Sequence, residues 1–177
     1  ANKYFDKNVE TVDEIELPNY QKNRLDDFAI PPQLSANALG ALKYYSSTLI
    51  LNESVTIRHY FTVTGEINLE DYTVDGASAL ANARGNNGLV YIDITDIPAQ
   101  RLSEYKTATV SYNNNSMTIK FSPLNYAGLT YKSSDVKLRN LVKSIAEYSY
   151  EADLYVLGKD YDLEIDYDEN EIEIDKW

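Results

Sequence analysis

One change of hydrophobic period divides this chain and limits the folds open to it. From Val55 to Thr64 apolar and polar residues alternate: Val55, Ile57, His59, Phe61 and Val63 share one face, and Thr56, Arg58, Tyr60 and Thr62 share the other. Thr48-Leu49-Ile50-Leu51 precedes this run across the turn Asn52-Glu53-Ser54, so the stretch predicts a β-hairpin. A short strand follows at Ile67–Val74 and ends at Asp75-Gly76, and Ala77–Asn87 reads as a loop. A β-branched strand over Leu89–Ile97 stops at Pro98; strands over Thr107–Tyr112 and Met117–Phe121 flank Asn113-Asn114-Asn115, with Pro123 closing the last. Each strand has one apolar face that needs a partner, so residues 35–125 predict an antiparallel β-sandwich and the chain is mainly β.

From Asp135, an N-cap candidate, the period becomes helical. Leu138, Leu141, Val142, Ile145, Tyr148, Ala152 and Tyr155 recur at steps of three and four, and Gly158 is suited to the C′ position. Lys137, Arg139, Lys143, Glu147 and Glu151 fall opposite, which predicts an amphipathic helix packed on the sandwich with Leu141 at the centre of its apolar stripe. Residues 126–157 are then crossover and helix. Residues 1–34 read as an acidic segment plus a connector, Pro-rich over 18–34. Residues 158–177, alternating again around Asp168-Glu169-Asn170, read as an acidic hairpin tail. A short echo of Ala152–Lys159 in Ala1–Lys7, each followed by acids, suggests a slice of a tandem array.

The formal charge of −12 sits mainly at the ends. Residues 158–177 hold nine acids against two lysines, and residues 1–17 hold five against two, so the middle is nearly neutral. With no basic stripe, nucleic acid and anionic membrane surfaces are disfavoured as partners, and no apolar run is long enough to insert in a membrane. The 177 residues suffice for a sizeable core. The absence of cysteine excludes disulfides, thiolate metal sites and thiol catalysis; the single histidine, His59, leaves no two-histidine metal site.

Four blocks in order carry a resemblance: Leu49–Phe61, Val90–Leu102, Ser122–Ala127 and Lys137–Tyr155. Together they resemble a module of large secreted and surface proteins of gut Firmicutes such as clostridia and ruminococci, with Ser149-Tyr150 and Tyr155-Val156 departing from the usual end of the helical block. Similar β-sandwich-plus-helix modules belong to starch-adherence proteins of amylosome-forming ruminococci, where the glycan lies near the junction of sandwich and helices. The resemblance implies an extracellular or cell-surface setting, neighbouring modules in the same polypeptide, and a polysaccharide ligand of the α-glucan kind.

The sequence holds 16 tyrosines. Sugar sites need flat aromatic faces beside planar polar groups, although tyrosine also half-buries itself in any sandwich. Tyr126 and Tyr131 lie on the crossover. Tyr150, about 200° around the helix from Tyr148, is expected on the outer face, with Tyr148 and Tyr155 inward. These three, Tyr150, Tyr131 and Tyr126, are the candidate ligand-binding residues. Of Tyr44 and Tyr45 one ring must be exposed. His59, on the apolar face, is expected in the core rather than in catalysis. No nucleophile motif is present, and the acids gather at the ends instead of in a cleft, so no catalytic residue is assigned. In the tail Asp166, Asp168 and Asn170 have EF-type spacing, but Glu171 replaces the required Gly and Trp177 the closing Glu, so no metal or cofactor is expected. The expected function is that of a monomeric, non-catalytic carbohydrate-binding module; the alternative is a structural spacer or protein-interaction module of a tandem surface protein.

Overall fold

The computed structural model describes residues 13–85 and 88–157. The acidic tail, its EF-type spacing, Gly158 and the Ala1–Lys7 echo lie outside the described residues. Two antiparallel sheets face each other. The five-stranded sheet runs β2 (Ala38–Leu39), β3 (Leu42–Leu51), β4 (Val55–Val63), β7 (Leu89–Ile97), β6 (Ala81–Asn82); the four-stranded sheet runs β1 (Gln33–Leu34), β9 (Asn115–Phe121), β8 (Lys106–Tyr112), β5 (Thr73–Asp75). The alternation read from sequence sets the faces: Ile57, His59 and Phe61 of β4 and Val90, Ile92 and Ile94 of β7 are buried with Val110, Met117, Ile119 and Phe121 of the other sheet. The mainly β fold with a C-terminal helix is therefore as expected.

Local chemistry explains the turns. Asn113 and Asn114 have φ of 48° and 62° between the paired residues Tyr112 and Asn115, a two-residue turn of the primed kind that suits the strand twist and that asparagine tolerates. The strand expected over Ile67–Val74 is instead a 3-10 turn at Leu69–Asp71, capped by Asn68, followed by short β5. The expected loop over Ala77–Asn87 contains β6, which pairs with β7 at Ala81 and Asn82.

A helical layer packs beside the sandwich. The connector reading of 18–34 is corrected: α1 (Asn19–Asp27) forms there, started by the Pro18 carbonyl, which accepts from the Gln21 and Lys22 amides at 3.1 Å. Pro123 opens a helix as well as ending β9, because Ser122 and Asn125 form a capping box for α2 (Pro123–Thr130) with proline at its first position. Helix α3 (Val136–Leu157) is capped by Asp135, whose Oδ1 accepts from the Lys137 amide at 2.9 Å. Leu17, Leu25, Leu124, Ala127, Tyr131, Val142 and Ala146 form the core of this layer. Tyr126 packs against both cores, and Ile145 against the sandwich core.

The face of α3 is rotated from the expected one. Val142, Ala146, Ser149, Tyr150 and Asp153 are buried, whereas Leu141 is 46% exposed, Tyr148 is exposed, and Tyr155 is 91% exposed. Polar partners from other parts of the chain account for this. Arg24 of α1 pairs with Asp153 and donates to Ser149 Oγ at 3.2 Å, while Lys143 reaches Glu14 at 2.7 Å. Each polar group on the inner face is thus compensated, which removes the penalty that would otherwise have turned it to water.

Candidate functional site

The three tyrosines expected at the sandwich–helix junction take packing roles. Tyr150, expected outward, is 4% exposed; its ring lies 5.1 Å from that of Tyr20 and under the Arg24 guanidinium. Tyr131 is buried in the helical core and its hydroxyl donates to Asp26. Desolvation of the Tyr131 phenol, together with that bond, raises its pKa above the usual value. Tyr126 is half-buried between the two cores. The expected outer-face position of Tyr150 is thereby corrected, and the ring is covered by residues of α1 that the sequence showed as connector. Tyr45 is exposed and Tyr44 packs on Phe61, as the dipeptide required.

A different set of aromatics lines an open cleft. On the outer face of the five-stranded sheet, register places Arg58 opposite Asp93 and Tyr60 opposite Tyr91, on the adjacent strands β4 and β7. Arg58 grips Asp93 through two bonds, Nε to Oδ1 and Nη2 to Oδ2, each 2.7 Å. That pairing holds the guanidinium pKa above its already high ordinary value. The Arg58 guanidinium also lies 3.7 Å from the centre of the Tyr91 ring. The Tyr60 and Tyr91 rings are 6.3 Å apart and inclined at 60°, forming a corner rather than a flat shelf. Ala83, Arg84 and Leu89 complete a cleft of about 490 Å³ with Arg58, Tyr60 and Tyr91.

The arrangement offers aromatic faces at an angle beside a guanidinium whose plane is fixed. Asp93 takes two of its five N–H donors and the Tyr60 hydroxyl also bonds the guanidinium, so an incoming hydroxyl would meet the donors that remain. Alternation had put Arg58 and Tyr60 on the outer face together; that Tyr91 and Asp93 sit across from them depends on register. The signal was present in the matching outer-face runs Arg58-x-Tyr60 and Tyr91-x-Asp93.

His59 is fully buried. Its Nδ1 is 2.6 Å from Ser47 Oγ, which is 2.7 Å from the Tyr44 hydroxyl, and Nε2 has no hydrogen-bond partner among the described residues. Burial pushes its pKa down to about 4, so the ring is neutral at pH 7. No group of three or more His, Asp or Glu side chains among the described residues is placed to hold a metal ion. No described helix is long and apolar enough to cross a membrane. Comparison with family models, curated proteins and solved structures returns no match to this chain.

Proposed function

We propose that this domain is a non-catalytic carbohydrate-binding module whose ligand seats in the Tyr60–Tyr91 corner. The observation that carries the reading is the pair of rings inclined at 60° beside the Arg58–Asp93 pair in an open cleft. Pyranose rings present C–H faces that pack on aromatic rings, and vicinal hydroxyls that match planar donors and acceptors. Two rings at an angle fit a curved chain better than a flat one, which favours an α-glucan over a flat β-linked polymer. The exported, cell-surface setting rests on the family resemblance alone.

Affinity electrophoresis of the full chain in gels containing starch, xylan, pectin or mucin tests the reading. Retardation in starch, abolished or strongly reduced in both Tyr60→Ala and Tyr91→Ala, supports it; each lost ring should remove on the order of 1–3 kcal/mol of binding, by analogy with aromatic stacking on other ring ligands. Retardation that survives both substitutions places the ligand elsewhere. No retardation in any gel leaves the spacer reading in its place.

A further inference from the structure

A row of side chains crosses the outer face of the five-stranded sheet and continues past the Tyr60–Tyr91 corner. The register sets Ala81 of β6 opposite Tyr91 of β7, Tyr91 opposite Tyr60 of β4, and Tyr60 opposite Ser46 of β3. Beside Ser46 the pairing of β3 with β4 shifts. Tyr44 faces Phe61 and Ser46 faces Tyr60, so Tyr45 is the extra residue of a β-bulge and shares with Ser46 the place opposite Tyr60. The residues on either side fix its direction. Tyr44 packs edge-on to buried Phe61 and Ser47 bonds buried His59, so both point between the sheets, and Tyr45 points out with 62% of its surface exposed.

Among the described residues no side chain uses this ring: Tyr45 has no hydrogen bond, ion pair or ring contact, whereas Tyr44, Tyr60 and Tyr91 each pack on another ring. Of the exposed large apolar side chains described, Tyr45 and Leu51 are the two that the strands carry, and Leu51 is only 39% exposed. Strand propensity alone would be met by a threonine at this position. Polar residues border the row on both sides, with Thr48, Arg58 and Asp93 in register along one edge and Lys43 and Thr62 along the other. Neighbouring strands lie ~4.8 Å apart, so the backbones beneath Tyr91, Tyr60 and Tyr45 span about 10 Å, which is longer than one sugar ring.

We propose that Tyr45 is the third stacking ring of the carbohydrate site, and that the glycan chain crosses the strands from Tyr91 over Tyr60 to Tyr45. The inference rests on the carbohydrate-binding reading and adds a direction and a length to it: a disaccharide fills the Tyr60–Tyr91 corner, and only a longer α-glucan reaches Tyr45. The bulge brings the ring in, because it sets two residues opposite Tyr60 where a regular ladder sets one. Sugar C–H faces then stack along the row, and the hydroxyls at the edges of the chain meet the polar residues that border it.

Isothermal titration with maltose and with maltoheptaose tests this on the full chain and on its Tyr45→Ala, Tyr45→Phe and Tyr60→Ala variants. The unsubstituted chain should bind maltoheptaose at least about fivefold more tightly than maltose, the lower end of what one stacked ring contributes. Tyr45→Ala should remove most of that gain and leave maltose affinity within about twofold, since the corner is untouched. Tyr45→Phe should keep the gain, because the ring and not the hydroxyl is used, and Tyr60→Ala should weaken both sugars. Tyr45 is exposed, so its variants should keep the urea midpoint of the unsubstituted chain. A Tyr45→Ala chain that retains the full gain overturns the inference, while the loss in Tyr60→Ala leaves the carbohydrate reading standing. Equal losses for maltose and maltoheptaose in Tyr45→Ala overturn it too, because the ring would then serve the corner and not an extension of it. Binding of neither sugar by the unsubstituted chain overturns the α-glucan reading and this inference together.

Discussion

His59 shows what one residue's burial does to the whole stability curve. Its imidazole sits between the sheets, edge-on to Phe121, with Ser47 as its one hydrogen-bond partner and Nε2 facing no acceptor among the described residues. Protonation would bury a charge with a second N–H to satisfy, so the folded state binds the proton only near pH 4 while the unfolded chain does so near the ordinary 6.5. Between those values the unfolded state holds more protons, and stability therefore rises with pH and is lost as pH falls from about 6.5 towards 4. The loss from this group is on the order of 3 kcal/mol across the window. Urea melts at pH 7 and pH 4.5 should show a drop in the native protein that His59→Phe reduces by about 2 kcal/mol or more. An equal drop in both proteins would place the acid sensitivity in the carboxylates instead. The core position of His59 was legible in the Val55–Val63 alternation, since it asks only which face a residue takes. The Tyr60–Tyr91 corner was not, because a two-residue period says nothing of which neighbour a strand pairs with or in what register.

Among the elements, the helices depart furthest from expectation. Strand faces follow the alternation because few of their inward positions are polar. Helix α3 breaks the rule, since Arg24 and Glu14 satisfy Asp153, Ser149 and Lys143 on its inner face. A stripe drawn through apolar residues alone then lands about one position around the axis. Helix α1 is hidden from a stripe of apolar residues because Gln21, which is buried, and Arg24, whose partners Ser149 and Asp153 lie more than a hundred residues away, are both polar. This correction changes an expected mutational cost. Leu141, which a central stripe position would have made worth ~2–5 kcal/mol, is exposed and should cost under about 1 kcal/mol as Leu141→Ala, whereas Leu124→Ala at a fully buried position of α2 should cost ~2–5 kcal/mol. Urea midpoints at unchanged slope decide between them; a larger loss at Leu141 than at Leu124 would put the stripe back where periodicity drew it. Helix crossing adds a second case. A Cβ at Gly128 of α2 would stand 2.5 Å from the Leu25 carbonyl oxygen and 2.7 Å from the Ala29 nitrogen, both backbone atoms, so Gly128→Ala should cost about 1–3 kcal/mol or more through separation of α1 from α2.

At the scale of the whole molecule, the helical layer is too small to stand alone. Among the described residues seven buried side chains form its core, a number that falls short of what an independent domain needs to offset its chain entropy. It borrows from the sandwich instead. Asn125 donates to the Phe28 carbonyl on the helical side at 3.0 Å and to the Tyr105 hydroxyl next to β8 at 3.3 Å. The Leu124 amide donates to the Leu102 carbonyl at 2.9 Å, and the Ser103 hydroxyl to Asp153 of α3 at 3.1 Å. Tyr126 and Ile145 put apolar surface into the sandwich core itself. The order of the chain adds to the dependence, because α1 precedes β1 and α2 leaves β9 with only Ser122 between, so the helical layer is not one continuous stretch that could open by itself. The two should therefore unfold together. Native-state hydrogen exchange provides the measurement: the most protected amides of α3, such as that of Ala146, should reach the same limiting free energy as those of Ile119 in β9, within about 1 kcal/mol, and both should match the global value from urea melts. If α3 amides exchange through an opening several kcal/mol below that of β9, the helical layer is an appendage, and the buried Arg24–Asp153 pair and the Asn125 bridge contribute less to the joint than their geometry implies.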